Sequence, residues 1–260
     1  MRVFVTGGTG AIGRYAVPAL VAAGHEVTAL ARSDTKATAL HRQGATAVQV
    51  SLFDRDELAA ALSGQHAVVN LASALPPPQR FMQKSAWTEC HRIRTKGSAT
   101  VVDAALAAGV PRLVQESVAM IYRDGGTDWI DEDSPVDHYP ISAGNHAAEA
   151  SAQRFGQSGG EATVLRFGLF YGPGAAHSEQ IMRLARRHIA FEAGRPGAYA
   201  SSIHLEDAAS AVVAALRCST GIYNVVDDQP VTKTQDRRAM AAAVDTRAWV
   251  VGPGRLARVF

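Results

Sequence analysis

Thr6-Gly7-Gly8-Thr9-Gly10-Ala11-Ile12-Gly13 sets three glycines between a β-branched run, Val3–Thr6, and an amphipathic stretch, Ile12–Ala23. A helix opening on such a turn offers unpaired backbone N–H groups and a partial positive charge. A pyrophosphate is the anion best suited to that end. Gly7 permits the tight turn, Gly10 lets phosphates approach the backbone, and Gly13 lets helix and strand pack closely. The spacing therefore predicts a dinucleotide site built from Gly7, Thr9, Gly10, Ala11, Ile12 and Gly13. The end of the second predicted strand reads Leu30-Ala31-Arg32-Ser33. An acidic residue there would bond a ribose 2′-hydroxyl. Arg32 instead suits a 2′-phosphate, with Ser33 adding a hydroxyl. NADP is favoured and NAD stays open; the bland alternative for Arg32 is a solvated surface arginine.

Such a turn works only inside a strand–helix–strand unit, and the pattern supplies several. Strands are expected at Val3–Thr6, Glu26–Ala31, Thr46–Val50, Ala67–Leu71 and Arg112–Glu116, with helices at Ile12–Ala23, Thr35–Gln43, Asp54–Leu62 and Ser85–Ala108. Repetition at this spacing means parallel strands joined by right-handed crossovers, a doubly wound α/β fold. Asp54 with Glu57 predicts a capping box, and Gly24, Gly44, Gly64 and Gly109 stand where helices should stop. The second half predicts helices at Ser142–Phe155, Ser178–His188 and Leu205–Leu216, and strands at Ala162–Phe167, Tyr199–Ile203 and Ile222–Val225. Residues 1–166 are expected to form the dinucleotide-binding domain. Residues 167–260 are expected to form mostly a substrate lobe, with elements returning to the sheet. Arg123–Pro140 is a long acidic loop of the kind that often carries function.

The 260 residues suffice for one large α/β domain, or one domain carrying a small lobe. A formal charge of +2 gives no support for a nucleic-acid footprint, which would need a clustered basic face. No apolar run approaches the ~20 residues of a membrane span, and the opening residues lack a signal-peptide pattern. A cytoplasmic location is expected, with Cys90 and Cys218 as reduced thiols. No His/Cys cluster has metal-ligand spacing, and Asp131-Glu132-Asp133 lacks a calcium-loop pattern.

With these residues in hand, the chain resembles the short-chain dehydrogenase/reductase superfamily. It is most similar to the extended and atypical branch that includes NAD-dependent epimerase/dehydratases. The stretches that carry the resemblance are Thr6–Gly13, Asn70-Leu71-Ala72, Asp103–Val114, Arg166–Gly174, Ile203–Ala208 and Tyr223-Asn224-Val225. It implies a Rossmann domain with a small C-terminal lobe and a nicotinamide near the ends of strands four to six. It also implies a homodimer through the fourth and fifth helices. Further cofactor contacts are expected at Ser51, Leu52, Leu71, Ala72, Ser73 and Phe167. Ser51 stands where many members carry an adenine-contacting Asp. The end Arg255–Phe260 is short beside most relatives, and the resemblance implies that a final lobe segment is absent, through divergence or truncation.

The superfamily's chemistry uses a Ser/Thr, a Tyr and a Lys, the lysine lowering the tyrosine pKa and holding the ribose. Aligned on Glu149, the Lys position is Asn145 and the Tyr position is Ile141; no lysine exists between Lys96 and Lys233. Val118 takes the Ser/Thr position, with Ser117 one residue early and, by strand alternation, facing the other side unless a bulge turns it. Arg94 stands where an Asn often sits, either as a surface charge or meeting an anion in the cleft. Tyr139, Ser117 and Tyr122 remain as catalytic candidates. Tyr171 and His204 are weighed as packing or helix-anchoring residues, His204 through Asp207. The expected function is an NAD(P)-binding oxidoreductase acting on a small organic molecule without the Tyr/Lys pair. Two alternatives stay open: a non-redox cyclase, dehydratase or isomerase, and an NADP(H)-sensing regulatory protein.

Overall fold

The structure is a computed structural model describing residues 1–191, 197–246 and 249–251. The expected alternation is present. β1 (Arg2–Thr6) leads through the glycine turn to α1 (Gly13–Ala22), then β2 (Glu26–Leu30), α2 (Asp34–Arg42), β3 (Thr46–Val48), α3 (Arg55–Leu62) and β4 (Ala67–Asn70). A loop with two short 3-10 turns precedes α4 (Thr88–Arg92), a π-helical turn at Ile93–Gly97 and α5 (Ser98–Ala107). β5 (Arg112–Val118), α6 (Ala143–Gln157) and β6 (Glu161–Phe167) follow. After them come β7 (Leu169–Tyr171), α7 (Ala176–Ala185), β8 (Ile189–Phe191), β9 (Tyr199–Ala200), β10 (Ser202–His204) and α8 (Leu205–Ala215). β11 (Gly221–Val225), β12 (Val231–Thr232), α9 (Lys233–Ala242) and β13 (Trp249–Val251) complete the order.

Seven strands form one parallel sheet in the order β11-β6-β5-β4-β1-β2-β3. The order reverses between β1 and β4. In a doubly wound sheet that switch point opens a crevice at the carboxyl ends of the strands. Strand alternation divides the core. Val3, Val5 and Val69 join the layer that holds α1 and α8, while Phe4, Val68 and Leu113 join the layer of α3, α5 and α6. Among the described residues, three short pairs lie outside the main sheet: β7 with β10, β9 with β12, and β8 with β13.

Several expectations change. The stretch Ser85–Ala108 is interrupted by the π turn, and Gly97 there lies against the Leu52 side chain. The predicted capping box is half formed. Asp54 caps α3 by accepting from the Asp56 and Glu57 N–H groups, but Glu57 accepts from Ser51 N at 2.9 Å, which ties down the loop after β3. The expected strand at Tyr199–Ile203 divides into β9 and β10. Gly24, Gly44, Gly64 and Gly109 all adopt positive φ. Arg255–Phe260 lies outside the described residues.

Candidate active site

At the switch point, Gly7 sits at φ +70°, and an added Cβ would overlap the carbonyl of Leu71 beyond β4. A Cβ on Gly13 would overlap the Gly7 carbonyl. Gly10 is exposed, and its N–H donates to Gly7 O at 2.8 Å, closing the turn. The next bond of the turn runs from Arg14 N to Gly10 O, so the N–H groups of Ala11, Ile12 and Gly13 precede it. These are the donors a helix leaves over for an anion. Thr9 is half-buried, Ala11 is exposed, and Ile12 is buried in the core. A cradle that excludes side chains at two positions and leaves amides over fits a diphosphate. Behind it a buried polar seam crosses three strands: Thr6 Oγ1 donates to Asn70 Oδ1 at 2.5 Å, and Asn70 Nδ2 donates to Gln115 Oε1 at 2.8 Å.

Arg32 is exposed just beyond β2, and Ser33 caps α2 by accepting from Lys36 N at 3.4 Å. Ser51 is exposed, Leu52 is half-buried, and the guanidinium of Arg92 lies 3.7 Å over the adjoining Phe53 ring. Leu71 is buried, Ala72 half-buried and Ser73 exposed. The Phe167 side chain is fully buried and its ring packs 5.4 Å from Phe170, which leaves its backbone for the expected contact.

The catalytic candidates separate into two groups. Ser117 is fully buried and donates to Glu149 Oε1 at 2.6 Å, so no bulge turns it toward the crevice. Tyr122 donates to Asn224 Oδ1 at 2.8 Å and accepts from Arg166 at 2.7 Å. Arg166 makes a two-pronged pair with Glu149 at 2.9 and 2.8 Å. Burial alone would pull the Arg166 guanidinium down, but Glu149 and Tyr122 hold it above the ordinary arginine value. The hydroxyls of Ser117 and Tyr122, both expected as catalytic candidates, are thus engaged inside one network with Glu149, Arg166 and Asn224. The backbone N–H of Asn224 donates to Glu132, which places part of the acidic loop on the same network.

Tyr139 is different. It stands at the wall of a cleft of about 500 Å³, and its hydroxyl donates to Met120 O at 2.8 Å. Burial raises its pKa, Asp137 adds to the rise, and Arg94 opposes it. Phe81 and Trp87, edge to face at 4.6 Å, form an apolar wall with Ile141. Arg94, expected as a surface or cleft charge, is 4% exposed and lines this cleft. Its Nη1 donates to Asn145 Oδ1 at 2.9 Å and its Nη2 to Glu116 Oε1 at 2.8 Å. Burial raises the Glu116 pKa, with Arg94 opposing. His204 anchors α8 as expected, but through Glu206 N at 3.4 Å rather than Asp207. The Arg94–Glu116–Asn145 group was not assembled from sequence; its signal was an arginine replacing an amide in a chain stripped of lysine.

The model of the NAD dependent epimerase/dehydratase family matches residues 3–225. The chain belongs to that family.

Within it, the chain is 36% identical over 250 residues to a Streptomyces 3-diazoavenalumate denitrifying reductase, covering 90% of this chain and 79% of the relative. It is 33% identical over 155 residues to a 4-hydroxy-2-methyl-3-oxo-4-farnesyl-3,4-dihydroquinoline-1-oxide ketoreductase of Stigmatella aurantiaca, covering 59% and 44%. The Thermus thermophilus UDP-glucose 4-epimerase in complex with NAD superposes with a TM-score of 0.81 at 25% identity, covering 98% of this chain and 88% of that one. This epimerase/dehydratase family member is an NAD(P)-dependent oxidoreductase with the Rossmann fold. Its departures are now spatial. Ile141 at the tyrosine position lines the apolar cleft, and Asn145 at the lysine position is buried against Arg94. No described helix is long and apolar enough to cross a membrane.

Proposed function

We propose that the protein is an NADP(H)-preferring reductase that delivers a hydride to a small organic acceptor whose reduction needs no Tyr/Lys proton donor. The observation that carries this reading is the contrast between a formed glycine turn and a tyrosine position occupied by Ile141. Gly7, Thr9, Gly10, Ala11, Ile12 and Gly13 hold the diphosphate. Ser51 and Leu52 flank the adenine, Leu71, Ala72 and Ser73 line the middle of the crevice, and Phe167 contributes through its backbone alone. Arg32 takes the 2′-phosphate. Its exposure leaves it available, and the Ser33 hydroxyl keeps its proton to donate while it caps α2. The substrate lies in the cleft between the Phe81–Trp87 wall and Tyr139.

The acceptor class follows from the missing proton relay and the name of the Streptomyces relative. A diazonium-type group takes a hydride on its terminal nitrogen and then leaves as N2, with hydrogen remaining on carbon. When bound, reduced nicotinamide supplies that hydride and its electron pair and becomes the oxidised ring. The chain's own residues hold the acceptor and exclude water, and positioning supplies a large share of the rate. A second reading is ketone reduction with Tyr139 as proton donor; its place on the cleft wall and the Stigmatella relative's name favour it. NADPH oxidation followed against aryl diazonium and aryl ketone panels, with N2 measured, decides between them. N2 release matching NADPH consumption and unaffected by Tyr139→Phe supports the first. Ketone turnover lost by ~10²-fold or more in Tyr139→Phe supports the second, that being the usual contribution of a general acid. NADPH oxidation with neither panel, or no binding of NADP+ or NAD+ in calorimetry, overturns both.

A further inference from the structure

Three buried side-chain atoms in one cluster lack a hydrogen-bond partner: Arg94 Nε, Glu116 Oε2 and Asn145 Nδ2. Their residues are joined by the two bonds from the Arg94 guanidinium, so the cluster is half satisfied. A burial this complete normally closes such groups. Arg94 alone of the three lines the cleft.

The backbone around Arg94 is built to bring it there. It lies in the π turn, a local widening that often marks functional positions. Gly144, in the first turn of α6, faces Arg94: a Cβ on Gly144 would stand 3.3 Å from the Arg94 Cβ and 3.6 Å from its Cδ. The bare backbone gives the arginine stem room to pass under α6 and reach Asn145. Glu116, at the carboxyl end of β5, keeps the guanidinium ionised in a low-dielectric site.

The charges facing the cleft come from every element around it. α4 contributes Cys90 and His91, the loop before it Lys84, and the loop before α6 Tyr139 with Asp137 nearby, while β5 sets Glu116 behind Arg94. Lys84 and His91 are exposed, so Arg94 is the buried cation of the set. The crevice runs over the strand ends from β2, past the glycine turn of β1, to β4 and β5. A dinucleotide with its diphosphate at β1 and its adenylate toward β2 sends its other half toward β5.

We infer that Arg94 is the cation of the reaction cleft, a positioning residue reaching in from the π turn after α4 that orients the nicotinamide half of the nucleotide. This rests on the nucleotide reading given above. Glu116 and Asn145 fix two prongs of the guanidinium, and the third donor, Nε–H, stays uncommitted. Because Asn145 Oδ1 meets Nη1, a lysine at 145 would return a cation to nearly the same place from the opposite helix.

The test is a charge relocation read by binding. Affinities of the whole chain for NADP+ and for its adenylate half, 2′,5′-ADP, are measured by calorimetry, with NAD+ and ADP as the second pair. In Arg94→Asn the whole dinucleotide weakens tenfold or more while the adenylate half changes less than twofold. In the double variant Arg94→Asn/Asn145→Lys, dinucleotide affinity returns to within about threefold of the parent. Because Arg94→Asn leaves Glu116 without a counter-charge and can fail to fold, Arg94→Gln/Glu116→Gln is measured as well, and it shows the same selective loss. Equal affinities for both ligands in folded variants, or parallel loss of both with no recovery in the relocated variant, overturn the inference alone. A parent chain that binds none of the four ligands overturns the nucleotide reading and this inference with it.

Discussion

Two buried arginine–carboxylate pairs lie within one sheet's width of each other and are finished differently. Arg166 and Glu149 join β6 to α6 by two prongs and recruit Ser117, Tyr122 and Asn224. Arg94 and Glu116 join the π turn to β5 by a single bond, and three atoms of their cluster have no partner. A closed polar network rigidifies and specifies a core. A half-closed one is costly, and its persistence beside a cleft points to work other than stability. Ser117 and Tyr122 look chemical in the sequence and belong to the first kind. Arg94 reads in the sequence as either a surface charge or a cleft cation, and belongs to the second.

The comparison breaks or sharpens under substitution. The largest effect is expected for Arg166→Met, which strands Glu149 in the core and should cost ~3–5 kcal/mol in urea unfolding. Replacing each pair whole is sharper. Arg94→Met/Glu116→Leu should be neutral or more stable by ~1–4 kcal/mol, since a buried pair seldom repays its desolvation. Arg166→Met/Glu149→Leu should lose stability, because the Ser117 hydroxyl loses its acceptor and the Tyr122 hydroxyl loses its Arg166 donor. Equal losses in the two double variants would erase the distinction drawn here. Ser117→Ala removes one hydrogen bond to a carboxylate and should cost ~1.5–3 kcal/mol with turnover unchanged. The smallest signal is a pH slope. Glu116 has a folded pKa raised above its ordinary 4.5 by burial. A raised acid favours the folded state below the unfolded pKa and loses that advantage as pH rises through the folded value. Removing Arg94 raises the folded value further. The deficit of Arg94→Met against the parent should therefore be least below about pH 4.5 and widen upward, as paired unfolding curves across pH will show.

Much of the scaffold was legible because its signals are local. The glycine turn, the strand–helix periods and the four helix-ending glycines each depend on a few adjacent residues. β7, β8 and β12 were missed because two or three residues carry no period. α9 was missed because its sequence, Lys233–Ala242, is polar on nearly every side; its Thr232/Gln235 capping box was the available mark. At the site, Tyr139 was found by its place beside a degenerate motif. The partners of Ser117 and Arg94 lie 32, 22 and 51 residues away. No spacing rule reaches such pairs. For Phe167, alignment fixes a position along the chain but leaves open which way the ring points; the ring is buried in the core.

The sheet's outermost strand on one side, β11, pairs in register with β6 from Gly221↔Thr163 to Val225↔Phe167, and α8 packs against α1. Tyr15 of α1 also donates to the Pro173 carbonyl at 2.7 Å. The helix that opens the fold is thus covered by residues translated some two hundred positions later. On the ribosome, the chain through residue 167 emerges with β6 as a bare edge and α1 without its cover. Such edges invite pairing with other chains, so nascent protein of this kind depends on completing residue 225 before it is safe from aggregation.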